Sequence, residues 1–408
     1  MRGVEEHRAA VLAGVEPLEP IDVALLDALG QTLAEDVAAP WPLPSFDNSS
    51  MDGYAVVAAD VAGAAPDTPV VLDVDGDLAA GTSLALTVSP GRCVRIMTGA
   101  PLPPGADAVV PVERTDGGTQ RVAVTAPVDS GAYVRRAGED VAAGAVVAAR
   151  GDVVTERSVP VIASVGRGHV HVVRRPHVVV ISTGDELVEA GQEPGPGQII
   201  DSNGVMLVAL ARAAGASAWR TPRSPDDDDE FRAVLEAALR EADVVVTSGG
   251  VSMGAYDTVK AVLARSGEVE FVKVAQHPGM PQGAGRLGER GVPIVTLPGN
   301  PVSSFVSFEL YVRPLIRRLM GKRDLVRPTE PAVSLAAFDS PAGKTQFARG
   351  VLTVRDDGTR AVAPVGGQGS HVMGGLAQSD CLVVVAADVT RVEAGDPVGV
   401  IDLTRAQP

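Results

Sequence analysis

The spacing of apolar positions changes along the chain, and each change marks a region. Residues 5–14 place apolar side chains at helical intervals and predict a short amphipathic helix. Pro20-Ile21-Asp22 reads as the cap of a second helix running through Leu29, and Ala38 to Pro44 as an extended, Pro-rich connection. From Ser45 to Val141 short alternating runs between turns predict a β-rich block. Extended patterns return over 145–175, with one short N-capped helix in V-V-T-E-R-S-V-P-V-I-A-S-V-G. The block 45–141 therefore reads as an insertion into a discontinuous N-terminal unit, 1–44 and 142–175.

At His177 the pattern becomes strand, helix, strand. H-V-V-V-I-S-T is a buried strand, and Asp201-Ser202-Asn203 caps an amphipathic helix carrying Met206, Leu207, Leu210 and Ala211. The run Asp226 to Asp229 opens a helix whose N-terminal dipole favours acidic residues. A-D-V-V-V-T-S-G-G follows, then a helix from about Thr258 to Arg265 and the strand V-E-F-V-K-V-A. The loop Gln276 to Pro281, the strand V-P-I-V-T-L and a helix from Val302 to about Leu319 complete the unit. This alternation predicts a doubly wound, mostly parallel sheet over 176–324. Past Gly321 the helical signal ends, and short strands with Gly and Asp-Gly turns predict a small β-barrel or sandwich over 325–408. The expected fold is multidomain α/β plus β.

Composition narrows the function. The chain of 408 residues carries a formal charge of −16, which disfavours a nucleic-acid partner. Aromatics are only 3%, so the cores must be aliphatic. Lysine occurs only at 260, 273, 322 and 344, and the remaining cations are Arg, which suits phosphate and carboxylate. Cys93 and Cys381 have no metal spacing and read as buried thiols of a reducing cytoplasm. No signal peptide and no membrane span is read.

Candidate chemistry concentrates at three strand ends: Thr183-Gly184-Asp185-Glu186, Ser248-Gly249-Gly250-Val251-Ser252, and Pro298-Gly299-Asn300-Pro301. On one parallel sheet all three lie at the carboxyl edge, where such folds bind ligands. The paired glycines let backbone N–H groups approach a ligand, and the helix start after Pro301 suits an anion. Asp185, Glu186 and Asp257 offer the hard oxygens that Mg²⁺ prefers, and Lys273 and Ser303 are placed to meet the same anion. In S-F-D-N-S-S-M-D-G-Y, residues Asn48, Ser49 and Asp52 read either as a turn before a strand or as the rim of a polar site. Glu139 and Asp140 beside Arg135 and Arg136 read either as a surface turn or as an anion-binding corner. No Cys/His cluster, Walker loop or nucleophile elbow is present in the sequence. The residues alone describe a pocket for a phosphorylated ligand with a divalent ion.

Seven motifs in order carry a resemblance: F-D-N-S-S-M-D-G-Y-A, R-I-M-T-G-A-P-L-P-P-G-A-D-A-V-V, A-G-E-D-V, S-T-G-D-E-L, D-S-N, T-S-G-G-V-S-M-G-A-Y-D and L-P-G-N-P-V-S-S. Together they resemble the molybdopterin molybdenumtransferases, the MoeA family, over nearly the whole chain. The resemblance implies a MoaB/MogA-like sheet domain, an extended N-terminal domain, an inserted β-rich domain, a C-terminal β-barrel and a homodimer. It implies a cytoplasmic enzyme of molybdenum cofactor biosynthesis that transfers molybdate onto adenylyl-molybdopterin with Mg²⁺, releasing AMP. The adenylyltransferase and molybdoenzymes would be its protein partners. Carried over by motif, Asp52, Thr98, Asp140, Glu186, Asp257 and Lys273 are expected to be catalytic. Asp226, Pro298 and Pro301 join the substrate-binding set with Thr183, Gly184, Ser248 and the other strand-end residues. Glu186 and Asp257 are expected to hold the metal beside the phosphoanhydride, with no covalent enzyme intermediate. Many members read K-P-G-K-P where this chain has His277-Pro278-Gly279-Met280-Pro281, so two cations are missing there. The alternatives are the preceding adenylyl transfer and a non-enzymatic molybdopterin-binding scaffold.

Overall fold

The computed structural model describes residues 1–81, 86–224, 227–251, 258–266 and 268–405, apart from the side chain of Ser266. Helix α1 (Val4–Leu12) opens the chain. Strand β1 (Pro20–Ala24) follows, where the sequence pattern suggested a helix. Ile21 and Val23 are β-branched, and the strand finds a five-residue antiparallel partner about 150 residues later. Tertiary pairing overrides the local cap signal, and only turns follow it through Gly30.

The inserted block forms one five-stranded sheet. Its strands are β2 (Gly53–Val56), β3 (Val70–Leu78), β4 (Arg92–Ile96), β5 (Ala108–Pro111) and β6 (Arg121–Val124), in the order β5-β2-β4-β3-β6. Tyr54, Val56, Cys93, Val110 and Val122 are buried on one face, and Ala55, Leu78, Val94, Ile96 and Val109 on the other. The excursion begins and ends at one point, where Leu43 bridges Val141. Helix α2 (Ser158–Ser164) and strand β7 (His169–Val173), the partner of β1, return the chain to the N-terminal unit.

The next region holds the six-stranded sheet. Strand β8 (His177–Ser182), helix α3 (Ser202–Ala213), β9 (Ser217–Arg220), α4 (Asp228–Glu241), β10 (Val244–Ser248) and α5 (Thr258–Ser266) come first. Then come β11 (Val269–Lys273), β12 (Gln276–His277), β13 (Pro281–Leu287), β14 (Val292–Leu297) and α6 (Pro301–Ser307). A π-helical turn over Phe308–Val312 joins α6 to α7 (Arg313–Leu319). The strand order is β9-β8-β10-β14-β13-β11. Strands β9, β8, β10 and β14 are parallel, and β13 runs antiparallel between β14 and β11. The chain moves from β8 outward to β9 and then back to β10 on the other side, so the topological switch lies between β8 and β10.

Burial explains why β8 and β10 read as unbroken apolar runs. Both faces are covered: Val178, Val180, Val244 and Val246 pack with α3 and α6, while Val179, Ile181 and Val245 pack with α4 and α5. The first of these cores also takes in Val11 and Val15 near the N-terminus and Phe347, Leu382 and Ile401 near the C-terminus.

Those last residues belong to a closed barrel. Its strands are β15 (Thr329–Ser334), β16 (Thr345–Val354), β17 (Arg360–Pro364), β18 (Cys381–Val385) and β19 (Pro397–Asp402). They run β16-β17-β15-β19-β18, and β18 pairs back onto β16. Strand β12 of the preceding region adds to β16 in parallel, which stitches the barrel to the sheet domain. Among the described residues, no helix is long and apolar enough to cross a membrane.

Candidate functional site

The parallel ladder sets the last residues of three strands side by side. Ser182 is opposite Ser248, and Ser248 is opposite Leu297. The three polar loops therefore leave the sheet at one level, astride the switch point. Their backbones touch: a Cβ built on Gly249 would lie 3.7 Å from the Thr183 carbonyl oxygen and from its Oγ1. One built on Gly299 would lie 3.7 Å from the Gly249 Cα. Gly249 and Gly250 have φ of 91° and 76°, a conformation that side chains rarely adopt.

Asn203, on the first turn of α3, locks two of these loops. Its Nδ2 donates to Ser248 Oγ at 2.9 Å and to the Gly299 carbonyl at 2.6 Å. Helix α3 is itself fixed by Asp201, which caps it through the Gly204 N–H at 2.8 Å and receives Arg220 Nη1 at 3.1 Å. The sequence read Asn203 only as part of a cap. Its second role could be anticipated from its place one residue into a helix that starts beside a strand end.

Each expected site residue has a definite place, with three exceptions. Asp226, Ser252 and Asp257 lie outside the described residues. Glu186 folds back over Gly184, whose added Cβ would meet Glu186 Oε2 at 2.5 Å. Its carboxylate has no hydrogen bond or ion pair among the described residues. Asp185 Oδ1 lies 3.7 Å from Arg223 Nη1, which also donates to the Gly184 carbonyl at 3.1 Å. Among the described residues no cluster of three metal-ligating side chains occurs. Asp185 and Glu186 are the carboxylates of this loop.

Two of the expected backbone donors are already engaged. The Gly249 N–H donates to the Leu297 carbonyl at 3.0 Å, because the β10–β14 ladder continues one residue past the strand. The Val302 N–H at the start of α6 donates to the Ser370 carbonyl at 3.1 Å. Ser303 is buried, beneath the Gly279 turn. Lys273 ends β11, which runs parallel to β14, so it lies exposed on the same edge of the sheet.

The inserted sheet forms a separate group. Asp52 Oδ1 accepts from the Thr98 N–H at 2.7 Å and Thr98 Oγ1 at 2.9 Å. These bonds hold the exposed carboxyl below the usual carboxylate range. Asn48 and Ser49 are turned inward: Asn48 Nδ2 donates to the Phe46 carbonyl at 3.1 Å, and Ser49 Oγ bonds the Met51 backbone. Arg136 is taken by Asp47 at 2.6 Å, while Glu139 accepts from the Arg136 N–H at 2.8 Å, so this corner is a braced turn. Asp140 is exposed. No hydrogen bond or ion pair between described residues joins 45–141 to 176–324.

Three family models match in succession along the chain. These are the MoeA N-terminal region (domain I and II) at 2–166, the probable molybdopterin-binding domain at 179–318 and the MoeA C-terminal region (domain IV) at 331–403. Molybdopterin molybdenumtransferase 2 of Mycobacterium tuberculosis is 47% identical over 410 residues, covering 99% of this chain and 100% of that one. The chain belongs to the molybdopterin molybdenumtransferase family. Molybdopterin molybdenumtransferase 1 of the same organism is 41% identical, covering 99% of this chain and 100% of its own. The crystal structure of the molybdopterin biosynthesis MoeA protein from Pyrococcus horikosii superposes with a TM-score of 0.86 at 30% identity, covering 99% of each chain.

In this chain the barrel reaches the crevice, which sequence reasoning missed. Asn300 Nδ2 donates to Ser370 Oγ at 2.8 Å, and Ser202 Oγ lies 3.6 Å from Met373 Sδ. The Gly366–Gly375 segment is held by Arg349, a fully buried side chain on β16. Arg349 donates to the carbonyls of Gly367 and Val372, and Gln368 Oε1 accepts from its N–H at 3.0 Å. The signal was a single Arg in the otherwise apolar run F-A-R-G-V.

Proposed function

We propose that this chain is a molybdenum insertase of molybdenum cofactor biosynthesis, transferring molybdate onto adenylyl-molybdopterin with release of AMP. The supporting observation is the crevice at the switch point, where three loops with glycine backbones meet at one level and Asn203 ties two together. Membership of the family supports the same reading. The gaps between the matched regions favour domain borders near 176 and 325, and the Leu43–Val141 bridge favours borders of the inserted block near 45 and 142.

The residues divide the work by chemistry. Gly249, Gly250 and Gly299 leave the crevice floor free of side chains, so a planar ligand approaches the backbone closely. Asn203 fixes the spacing of the Ser248 and Gly299 loops. Asp185 and Glu186 suit Mg²⁺, because carboxylate oxygens are its preferred protein ligands and Glu186 is not engaged elsewhere among the described residues. A bound Mg²⁺ supplies neutralisation of phosphate charge. Asp52, kept ionised by Thr98, adjoins a sheet that has no polar links to this crevice among the described residues, which favours its serving the crevice of a second copy in a homodimer.

The test is direct. Purified protein is mixed with adenylyl-molybdopterin and molybdate, with and without Mg²⁺, and AMP is measured by chromatography. Release that needs both ions is expected. Tight pterin binding without AMP release would leave only a binding scaffold. ATP consumption with unadenylylated pterin would point to the adenylyltransferase reaction.

A further inference from the structure

Helix α1 lies over the antiparallel part of the six-stranded sheet, on the face that also packs α3 and α6. Both of its ends are tethered. Before it, the Arg2 N–H donates to the Lys273 carbonyl at 2.9 Å, and the Arg2 carbonyl accepts from the Ala275 N–H at 2.8 Å. After it, Arg286 of β13 donates to the Ala13 carbonyl. Strand register dictates what lies beneath the helix. Glu270 of β11, Ala284 of β13 and Val295 of β14 form one row across the three strands. Glu268, Arg286 and Pro293 form the next row on that face, because side chains alternate with a period of two. Ala284 below and Ala10 above are too short to close the gap, and a cavity of about 290 Å³ remains between helix and sheet. Pro293 stands near the start of β14 and the crevice begins at its end, so the cavity lies toward the opposite edge of the sheet.

His7 of α1 lines this cavity and is 1% exposed, yet neither ring nitrogen has a hydrogen-bond partner among the described residues. Its ring is set edge-on to Tyr311, with centroids 4.7 Å apart and planes at 80°. Burial, with Arg2 adding to it, lowers its pKa to about 4. The ring is therefore neutral and offers one N–H donor and one bare nitrogen acceptor. Native structures pair nearly all buried polar atoms, because an unpaired one is costly. The partner of His7 must come from the cavity. The charged side chains around it cancel: Arg2 and Arg286 against Glu268 and Glu270. Arg2 Nη2 donates to Glu270 Oε1 at 2.9 Å, and Arg286 Nη1 donates to the Gly291 carbonyl at 3.3 Å. An ion entering here would lose its hydration without gaining a counter-ion. The remaining walls are apolar, with Val11 above and Val295 below, so the space is a slot between a helix and a sheet face.

We propose that this slot is a binding site, separate from the crevice, for a small uncharged planar molecule whose amide-like donor and acceptor complete the hydrogen bonding of His7. Small-molecule sites run from roughly 300 to 1,000 Å³, so this one takes a molecule of about one ring. The tethers at both ends of α1 hold the slot open before the ligand arrives, which lowers the cost of binding. Ala10 is exposed and marks the mouth. Carboxamides and the cyclic amides of nucleobases share this chemistry. The site is independent of the reaction proposed for the crevice.

The test uses the full-length protein and four probes, with binding measured by calorimetry. Benzamide and uracil are the neutral probes, and the tighter of the two identifies the source class. Benzoate and benzamidine have nearly the shape of benzamide and carry opposite charges. Saturable binding of a neutral probe is expected, with both charged probes weaker by about tenfold or more. His7→Phe keeps a ring against Tyr311 and should weaken the neutral probe by about tenfold, since its hydrogen bonds to the imidazole are lost. Ala10→Phe, on the exposed side of α1, should block the mouth and abolish binding. Urea unfolding of each variant shows that it is folded, and Ala10→Phe decides alone if His7→Phe is not. Absence of saturable binding by either neutral probe would mean that water alone completes His7, and would overturn the proposal. So would equal affinity for the charged probes, or binding that survives substitution at His7 and at Ala10.

Discussion

Asn203 offers the sharpest test of how the crevice is built. One side-chain amide donates to Ser248 Oγ and to the Gly299 carbonyl, joining the second and third loops. Asn203→Ala removes two neutral hydrogen bonds, each worth about 1 kcal/mol net. Asn203→Asp keeps the shape but replaces the donor with a carboxylate facing the Gly299 carbonyl, so it should cost more. For Asn203→Ala a stability loss of about 2 kcal/mol is expected, a downward Tm shift of several degrees. If both bonds serve to hold the bound geometry, KM for the pterin substrate rises by at most about 30-fold. The assay is AMP release at varied pterin concentration, alongside urea unfolding of each variant. kcat should change less than KM, because Asn203 sets the width of the crevice and touches no reacting atom. A full stability loss with unchanged KM would refute the reasoning: the loops would then hold their spacing without Asn203.

Three other outcomes are expected. Glu186→Gln should fold normally and lose activity most steeply at limiting Mg²⁺, because an amide is a poorer magnesium ligand; activity measured across a Mg²⁺ series checks this. Mixing Asp52→Ala chains with Glu186→Ala chains, each inactive alone, should restore about a quarter of wild-type activity if each crevice draws Asp52 from a second copy, and none if one chain supplies both. His7 is buried against Tyr311 with neither ring nitrogen bonded, and burial, with Arg2 adding to it, lowers its pKa to about 4. The native state therefore excludes a proton that the unfolded state binds, so stability is full above the unfolded value and falls as pH drops toward 4. His7→Phe should remove that part of the pH dependence in unfolding experiments over pH 4–7, a difference on the order of 3 kcal/mol at the acid end.

Much of the architecture was legible because its signals are local. The run His177–Ser182 announces a strand buried on both faces, and the glycines after Ser248 announce a tight strand end. What escaped was set by partners remote in sequence. Ile21 and Val23 become a strand only because His169–Val173 is there to pair with them. Asn203 and Arg349 each look like one polar residue in an ordinary element, and their meaning comes from carbonyl groups on loops far away in the chain. The Gly249 and Val302 N–H groups seemed free for a ligand until the ladder and the barrel loop claimed them.

The pairing of β1 with β7 also constrains the order of events on the ribosome. Strand β1 emerges early, yet His169–Val173 follows roughly 150 residues later, a wait of about 10–30 s at ordinary rates of synthesis. Closing so long a loop costs about 4.5 kcal/mol of chain entropy in its length-dependent part. The inserted sheet relieves this. Once it folds, the Leu43–Val141 bridge removes about 100 residues from the effective loop and lowers the closure cost by about 1 kcal/mol. An insertion that looks like an interruption of the N-terminal unit thus acts as a clasp that brings its two halves within reach of each other.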